Sequence, residues 1–154
     1  MELDICSIGN AIVDIQFNIE DEFKSYLVNN SIAFGTMTLI EQEDQENLIK
    51  ELSRKYGKAS LACGGSIANS TFAASNFGSP CHLACKVNDD DFGHFFLNNL
   101  KENNIFHTSQ TSNSDSSTGR SVIMVTPDAE RTMCTFLGVS SLLTNSDIDR
   151  NMIS

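Results

Sequence analysis

The chain has 154 residues, of which 40% are hydrophobic, and a formal net charge of -10. This length suits one globular domain with its own core, and the acidic balance argues against nucleic acid or an anionic membrane surface as a partner, since both require clustered Lys and Arg. No apolar run approaches the roughly 20 residues of a membrane helix, and the five scattered cysteines fit free thiols in a reducing compartment. We therefore expect a cytoplasmic protein that acts on a small molecule.

The first 60 residues predict a strand, a lid segment and a long helix. The apolar run at residues 3–8 predicts a strand buried on both faces of a parallel sheet, with Asp14 just past its carboxyl end, where α/β proteins bind ligands. A small helix and extended strands are expected over residues 17–40. Residues 41–56 carry apolar side chains at helical spacing and are followed by Gly57, which predicts a helix packed by one face.

A glycine pair then opens directly into a helix predicted over residues 66–77. Without Cβ atoms at Gly64 and Gly65 the chain can take positive φ, and the first N–H groups of the helix have no partners of their own. Such a turn lets a polar ligand approach bare backbone. Carboxylate and amide side chains, such as those of Asn10, Asp14 and Asn69, can fix the orientation of neighbouring hydroxyl groups on such a ligand.

The second half predicts a strand, a helix, a loop and a hairpin in that order. Residues 81–87 form an apolar stretch typical of a buried strand, and the polar residues 88–91 offer N-caps for an aromatic-rich helix. Residues 108–118 are all polar, which predicts a flexible loop. Residues 121–126 and 131–136 are β-prone and flank a turn signal, so they predict a hairpin.

Metal and nicotinamide sites are weaker interpretations of the same sequence. Cys81, His82 and Cys85 invite zinc, but they lie in the predicted buried strand and no second ligand pair follows at finger spacing. The acidic residues 89–91 do not match a calcium-binding EF-hand loop. No G-x-G-x-x-G follows the first strand, which disfavours a nicotinamide-binding Rossmann domain.

Four motifs in chain order resemble those of the ribokinase-like (PfkB) family of carbohydrate and nucleoside kinases, and of its adenosine-kinase branch in particular. The motifs are GNAIVD at 9–14, GGSIAN at 64–69, DFG at 91–93, and Thr118-Gly119 with the hairpin DAERTM at 128–133. The resemblance implies an α/β fold with a Rossmann-type αβα core and a small β-sheet lid. The core would cover about 1–16, 41–107 and 139–154, and the lid about 17–40 and 118–138.

The resemblance also implies an ATP-dependent phosphotransferase that acts on an alcohol group of a sugar or nucleoside, adenosine being the nearest case. The residues that it assigns to acceptor binding are Asn10, Asp14, Gly64, Gly65, Ser66 and Asn69. It assigns Arg131 to the transferring phosphate, for which a guanidinium is suited because it stays charged and bonds oxygens in pairs. The alternative for Arg131 is a surface arginine paired with Glu130 or Asp128. For Asp14 it is a solvated loop carboxylate that caps a local turn, and for Asn69 a helix residue that faces water.

Members of the family are longer than this chain, and the resemblance places their catalytic aspartate, glycine-rich anion hole and ATP pocket in a C-terminal half. We therefore expect this chain to be the N-terminal, acceptor-binding half, with ATP and Mg²⁺ bound elsewhere. The alternative function is a non-catalytic module that binds a sugar or nucleoside. Phe17, Phe34, Ile12 and Ser121 are candidates to line the pocket under the lid, and the lid edges could pair two copies as a homodimer.

Overall fold

The computed structural model describes residues 2–112 and 115–149. Its strands are β1 Ile5–Ile8, β2 Ile12–Asn18, β3 Met37–Leu39, β4 Ser60–Gly64, β5 Cys81–Asn88, β6 Phe106–Ser112, β7 Gly119–Val125 and β8 Arg131–Phe136. Its α-helices are α1 Lys24–Asn29, α2 Gln42–Tyr56, α3 Ser66–Asn76 and α4 Asp91–Glu102. Within the described residues, no helix combines the length and the apolar character needed to cross a membrane.

The chain divides into two compact units. The first contains the described residues of Met1–Val13, Cys63–Gly119 and Leu137–Ser154, and the second contains Asp14–Ala62 and Arg120–Phe136. Residues 41–62, which we placed in the core, group here with the segments that we placed in the lid. The functional division into a core and a lid stays a prediction.

The first unit is built on a three-stranded parallel sheet in the order β1-β5-β6. Alternate residues of β5 face the helices, so that Leu83, Cys85 and Val87 pack in one fully buried cluster with Phe96 and Leu100 of α4. The prediction of a buried strand at 81–87 is therefore confirmed, because β5 is the middle strand and receives hydrogen bonds from both sides.

Two predictions for this unit are wrong. The first strand is not buried on both faces: β1 lies at the edge of the described sheet, and Ile5 and Ile8 are 36% and 47% exposed. The polar segment from residue 108 is not all loop, because residues up to Ser112 belong to β6 and pair with β5 as far as Asn88. Backbone pairing with a buried neighbour outweighs the polar composition there.

The second unit is built on a five-stranded sheet in the order β3-β8-β7-β2-β4. The predicted hairpin is confirmed: β7 and β8 are antiparallel, and Ala129 takes a φ of 64° in the turn between them. Strand β2 runs parallel to β7, since the Ile19 N–H donates to the Val125 carbonyl just past the carboxyl end of β2.

Helix α2 confirms the helix predicted over residues 41–56, and it covers the hairpin within this unit. Leu48 and Leu52 are buried, as the periodicity predicts, and Gly57 ends the helix with a φ of 80°. Gln45, three residues before Leu48 on the same face of the helix, is also fully buried. Its Nε2 donates to the carbonyls of Arg120 and Cys134 at 3.0 Å each, which fastens the helix to both strands of the hairpin.

Candidate functional site

The glycine turn of the first unit is shaped by one glycine rather than two. Gly64 ends β4, whereas Gly65 is the N-cap of α3 with φ 96° and ψ 129°. Of the pair, Gly65 alone takes positive φ. A Cβ atom at Gly65 would lie 2.7 Å from the backbone carbonyl oxygen of Asn10. The turn therefore needs glycine both for its φ and for its close approach to the segment after β1.

A second close approach brings the same two segments together. A Cβ atom at Gly9 would lie 2.7 Å from the Cβ of Ile67 in the first turn of α3. The Gly9 N–H donates to the Ala84 carbonyl, which anchors the end of β1 to the middle strand of the sheet. The motifs at 9–14 and 64–69 thus meet through Gly9, Asn10 and the start of α3.

The start of α3 offers hydrogen-bond donors to a ligand. No side chain caps this helix, and its first backbone bond is from the Asn69 N–H to the Gly65 carbonyl. Asn10, Ser66 and Asn69 are exposed, and their side chains make no hydrogen bond within the described chain. A helix N-terminus with exposed amide and hydroxyl groups beside it is suited to bind oxygen-rich ligands.

The motifs at 91–93 and 118–119 also meet, and their contacts are structural. Asp90 caps α4, because its carboxylate accepts from the Gly93 N–H at 2.7 Å. The same carboxylate accepts from the Thr118 hydroxyl at 2.7 Å and from the Thr118 N–H at 2.8 Å. A Cβ atom at Gly93 would lie 2.1 Å from the Asn88 carbonyl oxygen, so this glycine also serves packing. These residues hold the first unit together.

Asp14 lies in the second unit and not where the sequence placed it. It is the third residue of β2, a strand that we did not predict, rather than a loop residue after β1. Burial raises the pKa of the half-buried Asp14 carboxyl above its usual value. Its carboxylate makes no hydrogen bond or ion pair within the described chain. Phe17 points to the opposite face of the sheet, so it does not line a pocket at Asp14.

Arg131 lies far from Asp14 along the sheet of the same unit. Arg131 is exposed and is the first residue of β8, where it pairs with Val125 of β7. The Val125 carbonyl accepts a hydrogen bond from the Ile19 N–H, just past the end of β2. In this parallel pairing Val125 lies opposite Asn18, which is four residues beyond Asp14, so the levels of Arg131 and Asp14 differ by about 13 Å along the strands. Arg131 forms no ion pair among the described residues, and Asp128 instead accepts from the Thr126 hydroxyl and the Glu130 N–H. Neither a shared site with Asp14 nor the alternative of a surface pair is seen for Arg131.

Metal binding finds no support in the part of the chain that the structure describes. No three His, Cys, Asp or Glu side chains lie together there as a protein-held ion requires. Burial raises the pKa of the Cys85 thiol to about 12, which keeps it protonated and unsuited to bind metal at neutral pH.

Comparisons with known proteins agree with this architecture. A family model described as pfkB family carbohydrate kinase matches residues 28–152. The adenosine kinase of Sinorhizobium meliloti is 32% identical and superposes with a TM-score of 0.86, over 99% of this chain and 45% of that one. A probable sugar kinase from Rhizobium etli is 30% identical with a TM-score of 0.84, over 98% of this chain and 44% of that one.

Among curated proteins, the ribokinase of Mus musculus is 29% identical over 90 residues, which are 58% of this chain and 28% of that protein. The chain thus spans less than half the length of each of these three proteins. The agreement over nearly the whole chain confirms the predicted α/β fold of ribokinase-like type.

Proposed function

Because the chain belongs to the pfkB family of carbohydrate kinases, we propose that it binds the alcohol acceptor, a sugar or a nucleoside, of an ATP-dependent phosphotransferase. The observation that carries the proposal is the Asp14 carboxylate. It is half-buried in a strand, its pKa is raised by burial, and it has no partner within the described chain. A buried polar group without a partner is unfavourable for the fold, and carboxylates whose pKa is shifted by burial are candidates for binding sites.

Two neighbouring hydroxyl groups of an acceptor would meet the needs of this carboxylate. Each hydroxyl can donate one hydrogen bond to a carboxylate oxygen and still accept another bond from an amide. Hydrogen bonds to an ionised acceptor are shorter and stronger than neutral ones. We therefore assign to Asp14 the orientation of a vicinal diol, which is the feature that ribose, nucleosides and many sugars share.

The groups at the start of α3 are a further set of donors that we assign to acceptor binding. Gly64, Gly65 and Ser66 offer backbone at a bare helix N-terminus, and the side chains of Asn10 and Asn69 are exposed beside it. Fixing the acceptor in this way matters for phosphoryl transfer, because catalysis there depends mainly on positioning and electrostatics. One of the relatives of solved structure is an adenosine kinase, which favours a nucleoside as the acceptor.

Fewer residues of this chain are assigned to the phosphate side of the reaction. We propose ATP as the phosphoryl donor with Mg²⁺ as its counter-ion. The described residues hold no cluster that would bind the metal, so no step is assigned to it here. Arg131, exposed at the tip of the hairpin and without an ion pair in the described chain, is the proposed contact for the transferring phosphate.

Calorimetric titration of the 154-residue chain with adenosine tests the proposal. We expect binding that Asp14→Asn weakens about 10- to 100-fold, since a hydrogen bond to a charged group contributes about 1.5–3 kcal/mol. The matched control is Asp4→Asn, at an exposed position. The analogue 2′,3′-dideoxyadenosine lacks the diol and should bind the wild-type chain as weakly as adenosine binds Asp14→Asn. Equal affinity of wild type and Asp14→Asn for adenosine, with both folded, would refute the assignment.

A further inference from the structure

A cavity separate from the proposed acceptor site lies within the second unit, between α1 and α2. Its volume is about 230 Å³, which is the space that about eight water molecules take up in the liquid. The polar side chains around it are Tyr26, Asn30, Asp44 and Asn47. None of the residues that we assign to the acceptor or to the phosphate lines this cavity, so its chemistry can be considered on its own.

The cavity wall on the α1 side is held by a turn at the end of that helix. Ser31 follows the cap residue Asn30 with φ 58°, and the Ile32 N–H donates to the Leu27 carbonyl at 2.9 Å. Helices commonly end in this arrangement with glycine at the position of Ser31, since other residues are strained at positive φ. This strained turn brings both Asn30 and Ile32 to the cavity wall.

The four polar side chains keep hydrogen-bonding capacity that the chain does not use. The Asn30 Nδ2 donates to the Tyr26 carbonyl at 2.9 Å, and its Oδ1 accepts no hydrogen bond within the described chain. The Tyr26 hydroxyl, the Asp44 carboxylate and the Asn47 carboxamide make no hydrogen bond or ion pair there. Each of the four side chains therefore offers a ligand an oxygen that can accept a hydrogen bond.

The charge of the cavity selects among possible ligands. Asp44 lies in the acidic first turn of α2, and among the described residues no Lys, Arg or His side chain lines the cavity. A carboxylate without a lining cation repels anionic ligands and attracts cationic ones. A primary ammonium group also carries three donors and no acceptor, which matches a wall of acceptor oxygens.

The remaining wall of the cavity is aliphatic. It consists of Ile32, Ile40 and Leu48, of which Leu48 is 2% exposed. The Ile40 N–H donates to the Thr135 carbonyl at 3.0 Å, which fixes this wall to the hairpin. An alkyl group placed against these side chains is removed from water, and this favours its binding.

We propose that this cavity binds a small primary aliphatic amine. The Asp44 carboxylate pairs with the ammonium group, and the side-chain oxygens of Asn30 and Asn47 accept from its other N–H groups. The aliphatic wall contacts the alkyl part of the ligand. This inference goes beyond the proposed function and does not depend on it, because the two sites share no residue.

Titration of the ¹⁵N-labelled 154-residue chain with 3-methylbutylamine, followed by NMR at constant pH and ionic strength, tests the proposal. We expect saturable shifts of the amide signals of Asn30, Asp44 and Asn47 with one common dissociation constant. The neutral analogue 3-methylbutan-1-ol has the same alkyl group and should bind about tenfold more weakly, because it lacks the charge. No saturable shift at these amides, or equal affinity for the amine and the alcohol, would overturn the proposal.

Variants of the first turn of α2 separate this site from a general attraction of amines to the acidic chain. Asp44→Asn keeps the shape of the side chain, removes its charge and should weaken amine binding about tenfold. The matched control is Glu43→Gln, at an exposed position that does not line the cavity, which should leave the affinity unchanged. Equal losses in the two variants would refute a specific site. Asp14→Asn should leave the amine affinity unchanged whatever its effect on adenosine, so that either proposal can fail alone.

Discussion

Gly65 shows how one residue of the proposed site is determined by geometry. Its φ of 96° is a conformation that other residues rarely adopt, and a side chain there would meet the Asn10 carbonyl oxygen. The sequence predicts a special turn from the glycine pair, but it does not say which glycine carries the positive φ. Only the close approach of the two segments distinguishes Gly65 from Gly64.

We predict that Gly65→Ala lowers the free energy of unfolding by more than Gly57→Ala does. Gly57 also has positive φ, at 80°, but a Cβ there meets nothing within 4 Å. Both variants should lose about 1–2 kcal/mol for the backbone conformation, and Gly65→Ala should lose more because Asn10 must move. Urea denaturation of the three proteins measures the difference. Equal losses would show that the contact between Gly65 and Asn10 does not hold the turn.

At the scale of elements, the sequence predicts those helices and strands that carry regular apolar spacing, a capping residue or a turn signal. Helix α2, helix α4 with its Asp90 cap, and the hairpin follow from apolar spacing, an N-cap residue and a turn signal. Strand β2 could have been predicted, since apolar and polar residues alternate from Val13 to Ile19 as in a half-buried strand. Strand β6 does not follow, because polar residues fill it, and its pairing with the buried β5 provides what the local sequence lacks.

Gln45 is the polar residue on the buried face of α2. It stands at helical spacing from Leu48 and Leu52, is fully buried and donates to backbone carbonyls of both hairpin strands. The bonds hold Arg120 and Cys134, the neighbours of Ser121 and Thr135, in place. The helix thus supports the hairpin at the level of Ser121 and Thr135.

We predict that Gln45→Met lowers the free energy of unfolding by about 1–3 kcal/mol, because methionine matches the length of glutamine but cannot donate to the two carbonyls. Gln16→Met is the matched control, since Gln16 is exposed on β2 and its side chain makes no hydrogen bond in the described chain. Chemical denaturation followed by circular dichroism measures both variants. A Gln45→Met protein as stable as Gln16→Met would mean that these hydrogen bonds contribute nothing to stability.

At the scale of the whole molecule, the motifs that identify the family divide between two units of the chain. Gly64, Gly65, Ser66 and the two asparagines belong to the first unit, and Asp14 and Arg131 belong to the second. Motif order along the chain predicts the fold and the residue types of the site. It does not predict which side chains share a face, because that follows from strand register: the register sets Asp14 with Ser121 and Thr135 and leaves Arg131 at the other end of the sheet.

The central claim is that the Asp14 carboxylate binds an acceptor with a vicinal diol, and titration of the ¹⁵N-labelled chain with adenosine, followed by NMR, tests it most directly. We predict saturable shifts of the amide signals of Asp14 and its strand neighbour Ile15 with one common dissociation constant. A competing position is the cavity of about 230 Å³ in the second unit, lined in part by Tyr26, Asn30 and Asn47. Shifts confined to that cavity, or no saturable shift at the two named amides, would contradict the account.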